Sequence, residues 1–417
     1  MPASTLAWYG LTIFTFFFVT ARLPNLFTEV GIYLALLGLL FRPQDVSFPP
    51  PLRWAVMFLL WALVTVFFSI EPEVAIDAYV ERLKALVIFF VVVNTLRTPQ
   101  QLRFYILLIL VAFAIYPARG TLQNYIRGET VFGRAIWNKM YSNPNDLGAM
   151  TLLMLGSALA IAMVKEQNAR VRHAATALVG VTLLIILLTQ SRGVFLGLLV
   201  GFGPALVSRL RKRSSGTAAA ALIIVAAIAV VVPQASWHRL AGITNLTSSE
   251  TMAQAREEKN AYDQMAASSA AERRLILENG LRIVAGHPVL GVGIGCFREG
   301  MVRQEPRLGK RDAHNTYLSV AAEMGLPGLL LWLGLVGSVL TQVRRRRARL
   351  EADNRTIDAL WIQRAVIGFL VASIFASYSG ITMFYLFLGI LWAACNVLGR
   401  DASEPVAPPA RRALRAR

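Results

Sequence analysis

The chain has 417 residues, of which 56% are apolar and 16% charged. Soluble domains run to roughly half apolar and a quarter charged, so a string of soluble domains is excluded. The apolar residues are also clumped: Leu6–Thr20, Trp54–Ile70, Ala174–Gln190 and Thr217–Val232 contain no Asp, Glu, Lys or Arg. About 20 apolar residues cross a hydrocarbon core of roughly 30 Å, and runs repeated at this density exclude a lone buried core helix.

In chain order the runs predict helices near 4–21, 26–41, 54–70, 84–97, 103–118, 146–164, 174–191, 193–208, 217–233, 314–343, 360–378 and 380–399. This is the pattern of an all-α polytopic membrane protein with about 12 transmembrane helices. The first run lacks a basic leader and a small-residue cleavage site, so it reads as a retained helix and not a signal peptide. Both termini are then expected in the cytoplasm. The loops RPQDVSFPPPLR, RTPQQLR, KEQNARVRH, RLRKRSSG and RRRRARLEADNR fall there too, with the tail from Arg400. Together they hold more than half of the 42 lysines and arginines. The loops opposite are poorer or acidic, as in EPEVAIDAYVERLK. That asymmetry is the positive-inside rule, and it makes the net charge of +18 topological, not a footprint for nucleic acid. Cys296 and Cys395 are too few and too far apart for a disulfide framework or a zinc site; no metal is expected. The divisions are helices one to nine over 1–233, a loop over 234–313, helices ten to twelve over 314–399 and a basic tail over 400–417.

Two segments facing away from the cytoplasm exceed a simple turn, and long loops usually carry structure or function of their own. The first, Arg119 to Asn145, includes Arg119, Arg127, Arg134 and Lys139. In the second, Ser269-Ala-Ala-Glu272 has the spacing of a capping box, followed by Leu277, Leu281 and Val284 at helical intervals and a stop at Gly286-His287-Pro288. Residues 270–285 therefore read as an amphipathic helix lying over the membrane domain. Arg273 and Arg274 fall in its first turn, where a cation is unfavourable by ~0.3–1 kcal/mol. They either meet an anionic partner, or pair with Glu272 or point to water. The stretch GHPVLGVGIGCFREG lacks dinucleotide-fingerprint spacing and reads as a close-packed turn at the membrane surface.

Three polar features remain. Thr189-Gln190-Ser191-Arg192-Gly193 makes a tight turn between apolar runs, and the planar fork of Arg192 suits phosphate oxygens; the alternative is an arginine snorkelling or capping helix-end carbonyls. His314 stands where the loop enters a helix, between Asp312 and Asn315. A histidine takes a proton near neutral pH, although a lone one at a helix start is more often a cap. Glu323 lies nine residues on, about 13 Å deeper, where ionisable groups face a cavity or a partner. Pro327-Gly328 is expected to kink that helix.

Four segments taken in order resemble the O-antigen ligase and polymerase superfamily, its ligases in particular: SNPNDLGAM, TQSRG, ERRLILENGLRIVAGHPVLGVGIGCF and AHNTYLSVAAEMGLPGLLLWLG, over roughly 142–335. The resemblance implies a C-type membrane glycosyltransferase fold in the bacterial inner membrane, with a large helical periplasmic loop between helices nine and ten and an active site facing the periplasm. It implies metal-free, cofactor-free, inverting transfer of a glycan from undecaprenyl pyrophosphate to a hydroxyl of lipid A–core oligosaccharide; the oligomeric state is left open, a monomer being compatible. Carried over by position, His314 matches the family histidine and is the implied general base. Arg192 and Arg273 match its arginines and form the implied pyrophosphate clamp, with Arg274 the near alternative to Arg273. Lys139 and Arg134 would add charge near the phosphates, Asp312 or Asn315 would orient the imidazole, and Glu323 would assist from deeper. Leu277 stands where the family often has tryptophan. An O-antigen polymerase, a protein O-oligosaccharyltransferase and a carrier for polyprenyl-linked glycans are the competing functions; against the carrier, no paired discontinuous helices recur in two halves.

Overall fold

The computed structural model describes residues 3–21, 25–164, 166–211, 261–352 and 356–398. Among them, every regular element is helical apart from one antiparallel bridge between Val131 and Arg134. In order they are α1 (Ala3–Thr20), α2 (Asn25–Leu40), α3 (Pro50–Phe67), α4 (Pro72–Thr95), α5 (Pro99–Phe113), α6 (Arg119–Ile126), α7 (Pro144–Ala162), α8 (Ala169–Leu188), α9 (Arg192–Arg211), α10 (Ala261–Gly286), α11 (Phe297–Gln304), α12 (Thr316–Arg345), α13 (Arg347–Ala352), α14 (Ala359–Ala372) and α15 (Thr382–Leu398). The expected ninth helix over 217–233, the first part of the loop over 234–260 and the basic tail over 400–417 lie outside the described residues.

The helices start where the sequence supplies a start. Proline opens α3, α4, α5 and α7, since its fixed φ suits the first turn and its missing N–H would be unpaired there anyway. Thr98 and Gln101 close a capping box on α5, and the side chains of Asn143, Asn168, Asn315 and Asp358 accept the first backbone N–H groups of α7, α8, α12 and α14. Five stretches among the described residues are long and apolar enough to cross a membrane: Pro50–Phe67, Pro99–Ile126, Pro144–Ala162, Ala169–Leu188 and Thr316–Arg345. Shorter apolar helices pack among them. The chain is an all-α polytopic membrane protein.

In lipid, where hydrocarbon surrounds every helix, association relies on close packing through small residues. The pairs α1–α2, α9–α14, α7–α8, α7–α14, α3–α12 and α4–α15 make the principal contacts. Between α9 and α14 the backbones nearly touch: a Cβ on Gly368 would lie 2.7 Å from the Gly197 carbonyl oxygen. The end of the bundle bearing the α8–α9 turn and the start of α12 is called the upper end below.

Several expected boundaries move. The acidic stretch EPEVAIDAYVERLK is no loop; from Pro72 it forms the first turns of α4, because nothing after that proline interrupts a helix until Leu96. The helix expected to end near 118 passes through a π-helical turn at Ala114–Ala118 and continues to Ile126. Pro117 lies within that turn and offers no N–H to the ladder, and such bulges accommodate the loss. Helix α10 already runs from Ala261, so Ser269 and Glu272 are interior positions, not a cap, and Arg273 and Arg274 escape the unfavourable first turn. Its buried stripe is Ile276, Asn279 and Ile283, while Leu277 and Leu281 are 43% and 54% exposed. Helix α14 stops at Ala372, leaving 373–381 largely non-helical. The break in α12 falls at Gly325 and not at Pro327-Gly328.

Candidate functional site

The glycine-rich stretch builds the floor of the upper end. Gly291, Gly293 and Gly295 all have positive φ. The N–H groups of Val292 and Gly293 donate to the carbonyls of Ala322 and Glu323, each at 2.9 Å, and that of Leu326 donates to Pro288 O at 2.8 Å. The Ile70 N–H donates to Val292 O at 3.0 Å, tying in the α3–α4 connection. Glu323 is 7% exposed; its Oε2 accepts from Gly295 N at 3.0 Å and its Oε1 from Ser319 Oγ at 2.8 Å. Of the two surroundings expected for it, a cavity or a partner, this carboxylate has partners and clamps the turn onto α12.

Above the floor, ion pairs fix the segment that carries His314. Arg311 Nε meets Glu272 Oε1 of α10 at 2.7 Å. Arg298 of α11 grips Asp312 with two parallel bonds of 2.6 Å, the bidentate geometry that makes such pairs strong. Asp312 thus holds the loop to α11. Asn315 Oδ1 accepts from Leu318 N at 3.0 Å and caps α12. Between them His314 is at φ 47°, a left-handed conformation that costs a side-chain-bearing residue ~1–3 kcal/mol and concentrates at functional sites. The imidazole keeps an exposed face. Burial of its remainder, and next the Arg273 guanidinium, hold its pKa below the ordinary histidine value, while Asp312 and Glu272 pull the other way.

The two candidate arginines of α10 diverge. Arg273 lies in the field of His314, whereas Arg274 points outward and pairs with Glu278 at 2.9 Å, with 74% of its side chain exposed. An exposed i,i+4 pair contributes ~0.3–0.5 kcal/mol. Arg274→Ala is therefore expected to leave thermal stability nearly unchanged, as a melting assay would read.

The second half of the upper end is the α8–α9 turn. Thr189, Gln190 and Ser191 are buried and Gln190 is at φ 50°; half-buried Arg192 opens α9. The segment before α7 docks on this turn. Ala135 N donates to Leu188 O at 3.0 Å, and Gln190 Nε2 to Gly133 O at 3.1 Å. Arg134 donates to Thr189 O at 2.8 Å and to Asn145 Oδ1 at 2.7 Å, so it secures the segment. Lys139 is exposed at φ 50° and opens the short 3-10 turn Lys139–Tyr141.

The connection 373–381 joins the halves. Thr316 N donates to Ser373 O at 2.8 Å and Thr316 Oγ1 to Ala376 O at 2.7 Å, while Tyr378 N donates to Thr316 Oγ1 at 2.7 Å. Tyr378 Oη then donates to Asn145 O at 2.8 Å. A hydrogen-bonded chain thus runs from the residue two beyond His314, through Tyr378 and Asn145, to Arg134 and the turn of Arg192. Asp146 lies within electrostatic range of Asp312, and Tyr378 in the fields of Asp146 and Arg134, so the halves close together. Sequence reading missed Arg298, the Glu272–Arg311 pair, Asp146 and Tyr378. The polar SYSG between two apolar runs was a visible signal; its partners were not.

The arrangement sets an imidazole whose pKa is held below the ordinary value in the field of one guanidinium, at the same end as Arg192 and Lys139. That set can accept a proton while stabilising a growing anionic leaving group. No curated protein matches the chain. A family model described as O-antigen ligase matches residues 177–333, a stretch that runs from within α8 to within α12 and includes Arg192, Arg273 and His314. Over that stretch the chain is similar to the O-antigen ligase family.

Proposed function

We propose that the protein is an O-antigen ligase, transferring polymerised glycan from undecaprenyl pyrophosphate to a hydroxyl of lipid A–core on the periplasmic face of the inner membrane. What supports this reading is that His314 lies in the electrostatic field of Arg273, both within the matched stretch. In the step, the acceptor oxygen bonds to the anomeric carbon with inversion as its proton passes to neutral His314. The bond from that carbon to the pyrophosphate oxygen breaks, and the electron pair leaves with undecaprenyl pyrophosphate. Arg192 and Arg273 stabilise that charge, with Lys139 adding to the field; no metal or other cofactor enters the step.

A deletion strain tests the acceptor. Loss of a ligase leaves lipid A–core uncapped while polymerised glycan accumulates on its carrier; core bearing a single repeat unit would instead identify a polymerase and overturn the proposal. Arg192→Ala, supplied to the same strain, is expected to lower transfer by ~10²–10³-fold, the size of losing one preorganised electrostatic donor. Arg192→Lys keeps the charge without the fork and should fall between alanine and wild type; transfer at the alanine level would remove charge as the basis of the contact.

A further inference from the structure

Arg82 of α4 is the least satisfied ionisable group in the bundle among the described residues. It is 7% exposed, about ten residues and roughly 15 Å along α4 from its upper start. Its Nη2 donates to Ser379 Oγ at 3.3 Å, but Nε and Nη1 meet no protein acceptor. A buried guanidinium with unpaired donors is costly to the fold, and ionisable groups at membrane depth generally mark a ligand path. The surroundings agree with an aimed group. Ser379, which orients the guanidinium, is itself held by Tyr385, whose hydroxyl donates to Ser379 O at 2.7 Å and accepts from Trp332 Nε1 at 3.2 Å. Gly380 lies against the guanidinium: a Cβ there would stand 3.2 Å from Nη1. Glu323 lies within electrostatic range of Arg82, yet its two oxygens are already taken by Gly295 N and Ser319 Oγ. Arg82 also stands under the connection 373–381, which ties His314 to the turn of Arg192.

We propose that Arg82 is a further binding residue for a phosphate oxyanion, engaging it through Nε and Nη1 from the membrane side of the site while Arg192 and Arg273 engage from above. This rests on the ligase reading for the identity of the donor, but its test contains no acceptor. The full chain in nanodiscs is titrated with undecaprenyl pyrophosphate and, separately, with inorganic pyrophosphate, for wild type, Arg82→Met and Arg82→Lys. Arg82→Met is expected to weaken the lipid-linked ligand at least tenfold with an unchanged or raised melting temperature, because a buried charge replaced by an apolar chain of similar length is often neutral or stabilising. Arg82→Lys should retain part of the affinity, and it carries the test if the methionine variant does not fold. A parallel loss for inorganic pyrophosphate would show that the anion alone is read; a loss confined to the lipid-linked ligand would show that the chain places it. Affinities within twofold of wild type in both variants, or a lowered melting temperature with intact binding, would overturn the proposal and leave Arg82 as a partner of Glu323 and Ser379. Failure of the ligase reading appears separately, as absent transfer to lipid A–core with pyrophosphate binding preserved.

Discussion

Replacing His314 with alanine is expected to lower glycan transfer by on the order of 10²–10⁴-fold, the usual contribution of a positioned general base, with insertion and abundance unchanged. The structure separates these effects because the imidazole is not what holds its own segment. Asn315 caps α12, Arg298 and Arg311 anchor the preceding loop, and Thr316 anchors the far side. Alanine also removes little of the strain at φ 47°, so the melting temperature should stay close to wild type. Transfer within threefold of wild type would sink the base assignment. A lipopolysaccharide gel of the complemented deletion strain, with an immunoblot for abundance, reads both quantities.

The pH dependence follows from the same surroundings. A base must be neutral to accept a proton, and burial, followed by Arg273, lowers the His314 pKa from the ordinary 6.5. The acid limb of transfer is thus expected below that value, keeping the base competent in mildly acidic medium. Arg273→Gln removes the second of those causes, so its residual transfer should show the limb displaced to higher pH. A limb that stays in place would disconnect Arg273 from His314. A loss of rate alone would not, since the clamp is weakened as well.

What was legible in the sequence was whatever a local pattern dictates. Apolar runs mark the five long spans among the described residues, and the prolines at 50, 72, 99 and 144 mark helix starts in the structure. The α4 start was missed because Glu73, Asp77 and Glu81 read as loop, although Pro72 had already supplied the opening. The face of α10 was read one residue out. Leu277 and Leu281 have helical spacing, but Gly280 lets Leu318 approach, and so Ile276 and Ile283 turn inward. Spacing within a helix does not reveal which of two apolar stripes meets a neighbour. The same limitation left Arg274 the near alternative to Arg273, because adjacent helical residues point about 100° apart and only the seated helix puts Arg273 in the field of His314 and Arg274 on Glu278. The hydrogen-bonded chain through Thr316, Tyr378 and Asn145 joins positions more than 200 residues apart, and no local pattern encodes it.

Gly325→Ala is expected to be the most disruptive single methyl group in the described structure. Gly325 is at φ 68°, ψ −178°, a region essentially confined to glycine, where another residue is strained by ~1–3 kcal/mol. The added Cβ would also run into the carbonyl of Val289, which is backbone and cannot rotate away. Overpacking of this kind typically costs a further ~1–3 kcal/mol. Pro327 does not share that sensitivity, since it stands in the first turn below the break, where a missing N–H is tolerated. Relief must come from separating the 287–291 turn from α12, which would break the bonds of Leu326 N to Pro288 O and of Gly293 N to Glu323 O and release Gly295 from the Glu323 carboxylate. The expected result is a melting temperature lowered by several degrees in detergent, together with loss of transfer, because α10 and Arg273 lead directly into that turn. Gly337→Ala is the matched control, a position in the same helix where a Cβ meets nothing within 4 Å; it should melt at or above wild type, since alanine favours helix over glycine by ~1 kcal/mol. Equal melting temperatures for the two variants would show that the 287–291 turn is not fastened to α12 at Gly325.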